Sequence, residues 1–314
     1  MLRKGLTRTP ELLLPLALAT AALGLLLPWQ ALAERSDWAL AALVAFTALG
    51  IPAAELATLR ERKVALAALV VAPLALLVPL AWAVSRLFAE PVREGVLALG
   101  VSSTEIAAVG LVALAGGSAV LALGAVTGSL VVSALAGPPM LSLLAGGTDI
   151  AVGELVGRFA LVVLLPLVAG LGARALSPRL KRGERELAGL AALSLLVLVY
   201  QAMSGAGAGG QLWSAALASA LFLIGCAVPA AAWTAVTPQA LRLTGVLVIE
   251  LRDFAVAAVL AAQAFGPPAA TVAGVYGVLM LLAGVAAAQL LPTRPAPPQQ
   301  APREGPKPGH DPHP

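Results

Sequence analysis

The chain has 314 residues, of which 60% are apolar, 20 are basic and 16 are acidic, and its mean hydropathy is +0.93. Soluble domains are about 45–50% apolar and about 25% charged, so this composition excludes a soluble enzyme and a disordered protein. The single cysteine excludes a disulfide scaffold, and the apolar runs are too long for the alternating strands of a membrane barrel. Both histidines lie in the last five residues, which excludes a histidine-ligated metal or haem in the apolar body. The predicted fold class is an all-α polytopic membrane protein.

Ten apolar segments follow one another along the chain, separated by charge clusters and by Gly/Pro pairs. They cover about 11–33, 38–57, 64–88, 91–115, 118–146, 155–176, 187–205, 211–236, 238–265 and 268–291. A helix that crosses a bilayer needs about 20 mostly apolar residues, so residues 1–291 are predicted to form a body of ten transmembrane helices. Residues 292–314 contain nine of the 24 prolines and are predicted to be a disordered cytoplasmic tail.

The basic residues are distributed unevenly across this ten-helix arrangement. With a cytoplasmic N-terminus, 15 of the 20 basic residues fall on the cytoplasmic side, four on the other side, and Arg252 inside a segment. This bias satisfies the positive-inside rule. It predicts a multi-pass protein of the inner (plasma) membrane with both termini in the cytoplasm. The pI of about 9.7 is then explained by this topology. Membrane lipid is a predicted partner, and no nucleic acid is predicted.

The N-terminal segment has an alternative interpretation. Basic residues, an apolar run and the sequence Ala31-Leu32-Ala33 before Glu34 also fit a secretory signal that is cleaved. The symmetry described next requires the first helix to be retained, so an uncleaved first helix is the prediction.

The ten segments form two sets of five with corresponding spacing, about 11–146 and about 155–291. The fourth and ninth segments correspond at an offset close to 145 residues. Because each set has an odd number of helices, the two sets are inverted relative to one another in the membrane. Inverted repeats of this kind are the architecture of many secondary transporters.

Ionisable residues lie near the middle of the fourth and ninth segments. They are Glu105 in the fourth segment and Glu250, Arg252 and Asp253 in the ninth. Each costs about 2.5–3.5 kcal/mol at the bilayer centre before pairing, and Gly100 with the hydroxyl run that follows it disfavours a continuous helix. Both segments are therefore predicted to be broken helices, with irregular backbone that faces the protein interior. The alternative is a purely structural ion pair between Arg252 and a carboxylate.

Three stretches of the chain resemble the bile acid:sodium symporter family. Gly100–Gly110 resembles the break in the family's fourth helix, and Leu121–Pro139 resembles its hydroxyl-rich fifth helix ending in proline. The dipeptide Ile249-Glu250, followed by Ala261–Gly266, resembles the ninth helix. The resemblance covers the ten-helix body, about 11–291, and excludes the tail.

The resemblance implies a panel domain of the first, second, sixth and seventh helices and a core domain of the other six. It also implies that the broken helices cross at mid-membrane, with sodium ions bound behind the crossing. Glu250 matches the acidic residue shared by the family's sodium sites, and Thr127 and Ser129 match its hydroxyl ligands on the fifth helix. Ile106 and Ala107 replace a Ser-Asn pair of the family and carry no side-chain oxygen for a hard cation.

The leading functional hypothesis is a secondary active transporter of a small organic anion, coupled to sodium or, alternatively, to a proton. The guanidinium of Arg252 suits an anionic group, so Arg252, Ser103, Thr104 and Asp253 are predicted to bind substrate. The residues predicted to bind the coupling ion are Glu250, Asp253, Glu105, Thr127 and Ser129. No cofactor is predicted beyond sodium as a coupling ion, for which Glu250 is the candidate ligand.

Other functions remain open at this stage. A metalloid exporter of the same superfold is associated with a cysteine in the fourth helix, whereas Cys226 lies in the eighth. An intramembrane enzyme needs a nucleophile with a base or a metal, and Glu105 with Asp253 is the one acid/base pair that the body offers. A receptor that moves nothing is disfavoured because the loops between segments are short. The oligomeric state is not predicted.

Overall fold

The computed structural model describes residues 9–29, 36–51, 58–115, 117–146, 151–177, 183–204 and 211–290. Most of these residues are helical. The predicted tail and the predicted cleavage site lie outside the described residues.

The helices are numbered by the predicted segment to which each belongs. They are α1 Thr9–Leu26, α2 Ser36–Gly50, α3 Lys63–Ser85, α4a Val92–Val101, α4b Ala107–Leu114, α5 Ala119–Leu144, α6 Val152–Leu176, α7 Glu184–Ser204, α8 Gln211–Val236, α9a Gln239–Glu250, α9b Phe254–Phe265 and α10 Pro267–Leu290. A 3₁₀ turn, Leu59–Arg62, precedes α3, and a π-helical turn, Ala160–Leu164, interrupts α6.

Length and apolar composition fit an integral membrane protein. Among the described residues, five helices are long and apolar enough to cross a membrane: α3, α5, α6, α7 and α8. Large apolar side chains such as Leu143, Val228 and Trp213 are exposed on the helix surfaces. An exposed apolar surface of this kind needs lipid around it, because water disfavours large apolar patches. The predicted all-helical membrane class is thus confirmed.

The fourth and ninth segments are broken, as predicted, and each consists of two half-helices. The position of Gly100 differs from the prediction, because α4a continues through Gly100 and ends at Val101. A Cβ atom at Gly100 would overlap the Cβ of Ala81 on α3. The glycine therefore serves close packing of α4a on α3, and the break begins only with the hydroxyl residues after it.

The helices pack in two groups. In one group α7 packs against α1 and α2, and α2 packs against α6. In the other, α4a packs against α3, α9b and α10, and α8 packs against α9a and α10. The buried core of the second group surrounds the two helix breaks and includes Leu99, Phe222 and Phe254.

The close packing at Gly100 leads to a stability prediction. Gly100→Ala is expected to destabilise the protein by about 1–3 kcal/mol, because the new methyl group forces α4a away from α3. Gly110→Ala is the matched control, since no atom lies within 4 Å of a Cβ there and alanine favours the helix by about 0.5–1 kcal/mol. Thermal unfolding in detergent measures both, and equal melting temperatures for the two variants would contradict the packing role.

Candidate functional site

The two helix breaks pair with each other through their backbones. The N–H of Glu105 donates to the carbonyl of Leu251 at 3.0 Å, and the N–H of Asp253 donates to the carbonyl of Ser103 at 2.8 Å. Thr104 and Arg252 thus face each other as one antiparallel bridge. Residues 102–106 and 251–253 are called the crossing below. Each break supplies the hydrogen bonds that the other lacks, which makes irregular backbone tolerable at membrane depth.

Hydroxyl groups from the next helix along the chain complete the crossing on each side. The N–H of Thr104 donates to Ser129 Oγ on α5 at 3.0 Å, and the N–H of Arg252 donates to Tyr276 Oη on α10 at 3.2 Å. Ser129 lies 25 residues after Thr104, and Tyr276 lies 24 residues after Arg252. The two breaks are therefore supported in equivalent ways.

Asp253 holds the crossing and the start of α9b together. Its Oδ1 atom accepts the N–H groups of Ala255 and Val256, both at 3.0 Å. Its Oδ2 atom accepts the hydroxyl of Ser103 at 3.3 Å. Asp253 is thus the N-cap of α9b, where a carboxylate satisfies free N–H groups and the positive end of the helix dipole.

Glu105 stands at the corresponding place before α4b and is less satisfied. Its Oε1 atom accepts the N–H of Ala107 at 3.4 Å. Its Oε2 atom is buried and has no hydrogen-bond partner among the described residues. The carboxyl groups of Glu105 and Asp253 are close enough to repel each other when both are ionised. A carboxyl group of the chain therefore stands at the positive N-terminal end of each second half-helix.

The guanidinium of Arg252 is completely buried, with 0% exposure. Neither Nε nor either terminal nitrogen has a hydrogen-bond partner within the described ranges. The guanidinium lies near Tyr276, Cys226 and Asp253. Among the described residues, the one salt bridge joins Arg158 to Asp37. No carboxylate there lies within 4.0 Å of the Arg252 guanidinium. The described residues thus give Arg252 no direct salt bridge, although the carboxylate of Asp253 lies near enough to attract it.

The hydroxyl and carboxylate residues predicted for sodium are only partly brought together. Ser129 touches the crossing, but its hydroxyl already donates to the Val126 carbonyl at 3.0 Å. The hydroxyl of Thr127 donates to the Leu123 carbonyl of its own helix at 2.9 Å. The Glu250 side chain is half-buried at the end of α9a. Sodium binds through several oxygens at once, and these side chains do not form such a set.

A cavity of about 420 Å³ lies beside the crossing, between the two helix groups. Its lining residues come from α2, the fourth-segment break and α7: Leu43, Phe46, Thr47, Gly50, Glu105, Ile106, Ala107, Ala188, Ala191, Ala192 and Leu195. Among the described residues that line it, Glu105 alone is charged, and Arg252 is not one of them. The volume and the apolar walls are those of a small-molecule site.

The opposite end of α2 is closed against the core. Asp37 accepts a hydrogen bond from the amide of Gln263 on α9b and pairs with Arg158 on α6 at 2.8 Å. Asp37 and Gly50 lie about 20 Å apart along α2, at 1.5 Å per residue. The cavity therefore lies toward one end of α2, while a polar contact between the two helix groups closes the other.

Two further residues hydrogen-bond to the half-helix ends beside the crossing and were not predicted as site residues. Tyr276 accepts the Arg252 N–H and donates its hydroxyl to the Glu250 carbonyl at 3.2 Å. Ser133 donates to the carbonyl of Val101, the last residue of α4a, at 2.8 Å. A sequence signal exists for Tyr276, which is one of two tyrosines in the chain and lies in an apolar segment. Ser133 carries none, because many helices here contain serine.

Comparisons with known proteins agree with this geometry. None of the curated proteins compared with the chain matches it. The model of the SBF-like CPA transporter family matches residues 13–290, which is most of the chain. The resemblance to the bile acid:sodium symporters is thereby confirmed, and the chain belongs to the SBF-like CPA transporter family.

Proposed function

We propose that this membrane transporter is a secondary active transporter that moves a small organic anion together with a coupling cation, sodium or a proton, by alternating access. The observation that carries the proposal is the crossing itself. Two helices are broken at the same depth and hold charged residues there, and the fourth-segment break lines a cavity between two helix groups. A purely structural core has no use for charges at this depth, which are expensive in a membrane.

The ten-span inverted repeat is part of the proposal. Its support is the equivalence of the two breaks: each is followed by a carboxylate at a half-helix N-terminus and is completed by a hydroxyl on the next helix. The charge distribution supports an inner (plasma) membrane location with both termini in the cytoplasm. The division into panel and core is supported by the packing of α1, α2, α6 and α7 in one group.

Alternating access requires the two groups to move relative to each other. In the conformation described, the cavity lies toward the Gly50 end of α2 and the Asp37 contact closes the other end. With the proposed orientation, that cavity faces the cytoplasm. In the alternative conformation the contacts of Asp37 would break and the walls around the cavity would close. The crossing would then be open to the opposite side of the membrane.

The charged residues of the crossing have different roles in this proposal. The buried guanidinium of Arg252 makes the surrounding potential favourable for an anion, because screening is weak inside the protein. Asp253 is committed to its helix cap. The Oε2 atom of Glu105 has no hydrogen-bond partner among the described residues. Glu105 is the group that binds the coupling cation beside the cavity.

Gradient-driven uptake tests the proposal directly. Purified protein in liposomes is given a sodium gradient or a proton gradient, with hexanesulfonate and naphthalenesulfonate as the organic anions. Accumulation that follows one of the gradients and is missing from protein-free liposomes is the expected result. Uptake of neither anion in either gradient would contradict the proposal. Uptake indifferent to both gradients would mean an uncoupled carrier.

Filling the cavity is expected to block transport without unfolding the protein. Ala191→Phe places a ring between α7 and the crossing, so uptake should fall at least about tenfold, the effect of about 1.4 kcal/mol. Leu193→Phe is the matched control, because Leu193 is on the same helix, is 58% exposed and lies outside the cavity lining. Equal uptake by the two variants would exclude this cavity as the substrate site.

A further inference from the structure

One carboxyl oxygen at the wall of the cavity has no hydrogen-bond partner in the described part of the chain. Glu105 is 5% exposed and lines the cavity, and its Oε2 atom is buried without a hydrogen bond. Thr47 is the other described lining residue with a side-chain oxygen, and the remaining described ones are apolar. A ligand that fills the cavity therefore meets apolar walls and one carboxyl group.

The donor set around Oε2 discriminates between the two coupling cations. A hard metal cation needs several oxygen ligands in close contact, and within the described part of the lining the side-chain oxygens are those of Glu105 and Thr47. A proton needs a single oxygen. Burying an ionised carboxylate whose hydrogen bonds are incomplete costs free energy, and a proton removes that cost without any further ligand.

We propose, building on the transport function proposed above, that Glu105 carries the coupling proton and donates it as a hydrogen bond to the substrate. The substrate class is an amphipathic organic monoanion, with its anionic group on the Glu105 O–H and its apolar part against α2 and α7. The proton is taken from water on one side, stays on Oε2 during the conformational change and is released to water on the other. Only the O–H bond of Glu105 forms and breaks.

Binding one proton together with one monoanion leaves the net charge of the cavity the same as when it is empty. The bound proton creates a hydrogen-bond donor for the anion, and the anion stabilises the protonated carboxyl. By linkage, each increases the affinity for the other by the same factor. One proton then moves with one monoanion, so the transport is electroneutral.

The titratable groups that face Glu105 fit this role. Asp253 faces it from the ninth-segment break and Tyr276 from α10. The carboxylate of Asp253 is already held by two backbone N–H groups and the Ser103 hydroxyl. The described side chains that α2 and α7 contribute to the cavity lining carry no charge. Glu105 is therefore the group left to exchange a proton with the cavity.

The test follows proton movement driven by hexanesulfonate. Sulfonates stay ionised and do not carry protons through lipid by themselves. Liposomes contain the protein and a pH-sensitive dye, without sodium, and equal potassium with valinomycin clamps the voltage. External hexanesulfonate is expected to acidify the lumen with the wild type. With Glu105→Gln, acidification should fall to the level of protein-free liposomes.

The glutamine variant also separates coupling from folding. Its amide N–H can replace the O–H as donor but cannot release a proton, so Glu105→Gln should still exchange labelled hexanesulfonate across the membrane. A residue with only a structural role would lose both activities. Glu94→Gln is the matched control, because Glu94 is half-buried in the first turn of α4a and outside the cavity lining. It should behave as the wild type does.

Several results would overturn the inference. One is uptake driven by a sodium gradient at constant pH without acidification, which would leave the transport function intact and assign coupling to sodium. Another is acidification by Glu105→Gln at the wild-type rate. Proton movement driven by hexyltrimethylammonium in place of hexanesulfonate would assign the cavity to organic cations. Failure of the wild type to move either sulfonate in any gradient would contradict the transport proposal itself.

Discussion

Arg252→Met is expected to abolish anion uptake while the protein becomes as stable as the wild type or more so. The guanidinium is 0% exposed and lacks hydrogen-bond partners among the described residues, so the fold gains little from it. Replacing buried ions by apolar side chains of similar size is often stabilising by about 1–4 kcal/mol. The guanidinium lies outside the cavity lining and acts on the anion through its potential, which at an effective dielectric constant of about 20 is worth about 2 kcal/mol at about 8 Å, so uptake should fall at least about 30-fold. Thermal unfolding and liposome uptake measure the two effects.

Arg252→Lys is the informative companion. Lysine keeps the positive charge but loses the planar guanidinium. If transport requires only the positive charge at this position, Arg252→Lys should retain part of the uptake. Wild-type uptake by Arg252→Met would contradict the role given to the guanidinium. So would a strongly lowered melting temperature, because the charge would then be serving the fold.

Asp253→Ala is expected to lose both stability and transport, whereas Asp253→Asn should lose transport alone. Alanine removes the acceptor for the N–H groups of Ala255 and Val256, and the loss of an N-cap costs about 0.5–2 kcal/mol. Asparagine caps a helix as well as aspartate does but carries no charge to balance Arg252. The melting temperatures of the two variants, compared with their uptake rates, separate the cap from the charge.

Equal melting temperatures of Asp253→Ala and Asp253→Asn would contradict the capping role. Wild-type uptake by Asp253→Asn would show that the charge of Asp253 is not needed at the crossing. Ser102→Ala serves as a control for a buried polar change nearby, since the Ser102 hydroxyl bonds only to the Leu99 carbonyl of α4a in the contacts described.

Much of the fold can be predicted from the sequence because membrane depth leaves few solutions. Long apolar runs must be helices, and the charges of Glu105, Arg252 and Asp253 locate the two breaks. The family assignment also follows from the order and spacing of weak motifs. The end of α4a at Val101 could not be predicted, because it depends on the packing of Gly100 against Ala81 on another helix.

The site was less predictable than the fold. The hydroxyl run at 102–104 indicates irregular backbone, but the partners of that backbone lie about 150 residues away in sequence. The role of Arg252 illustrates the difficulty: an arginine at mid-membrane suggests substrate contact, yet its side chain lies outside the cavity lining. The pairing of Thr104 with Arg252 determines which side of the crossing each residue faces. That pairing cannot be predicted from the composition of either segment.

Accessibility of the crossing from the two sides of the membrane tests alternating access most directly. Ile106 lines the cavity, and the buried Cys226 is the chain's one cysteine, so Ile106→Cys on a Cys226→Ser background gives a single reporter thiol. An impermeant maleimide is applied separately to each face of liposomes with oriented protein, with and without hexanesulfonate. Alternating access predicts that the thiol reacts from both faces, in proportions that change when the anion is added. A thiol that reacts from one face only, whatever the anion or the gradient, would contradict the account.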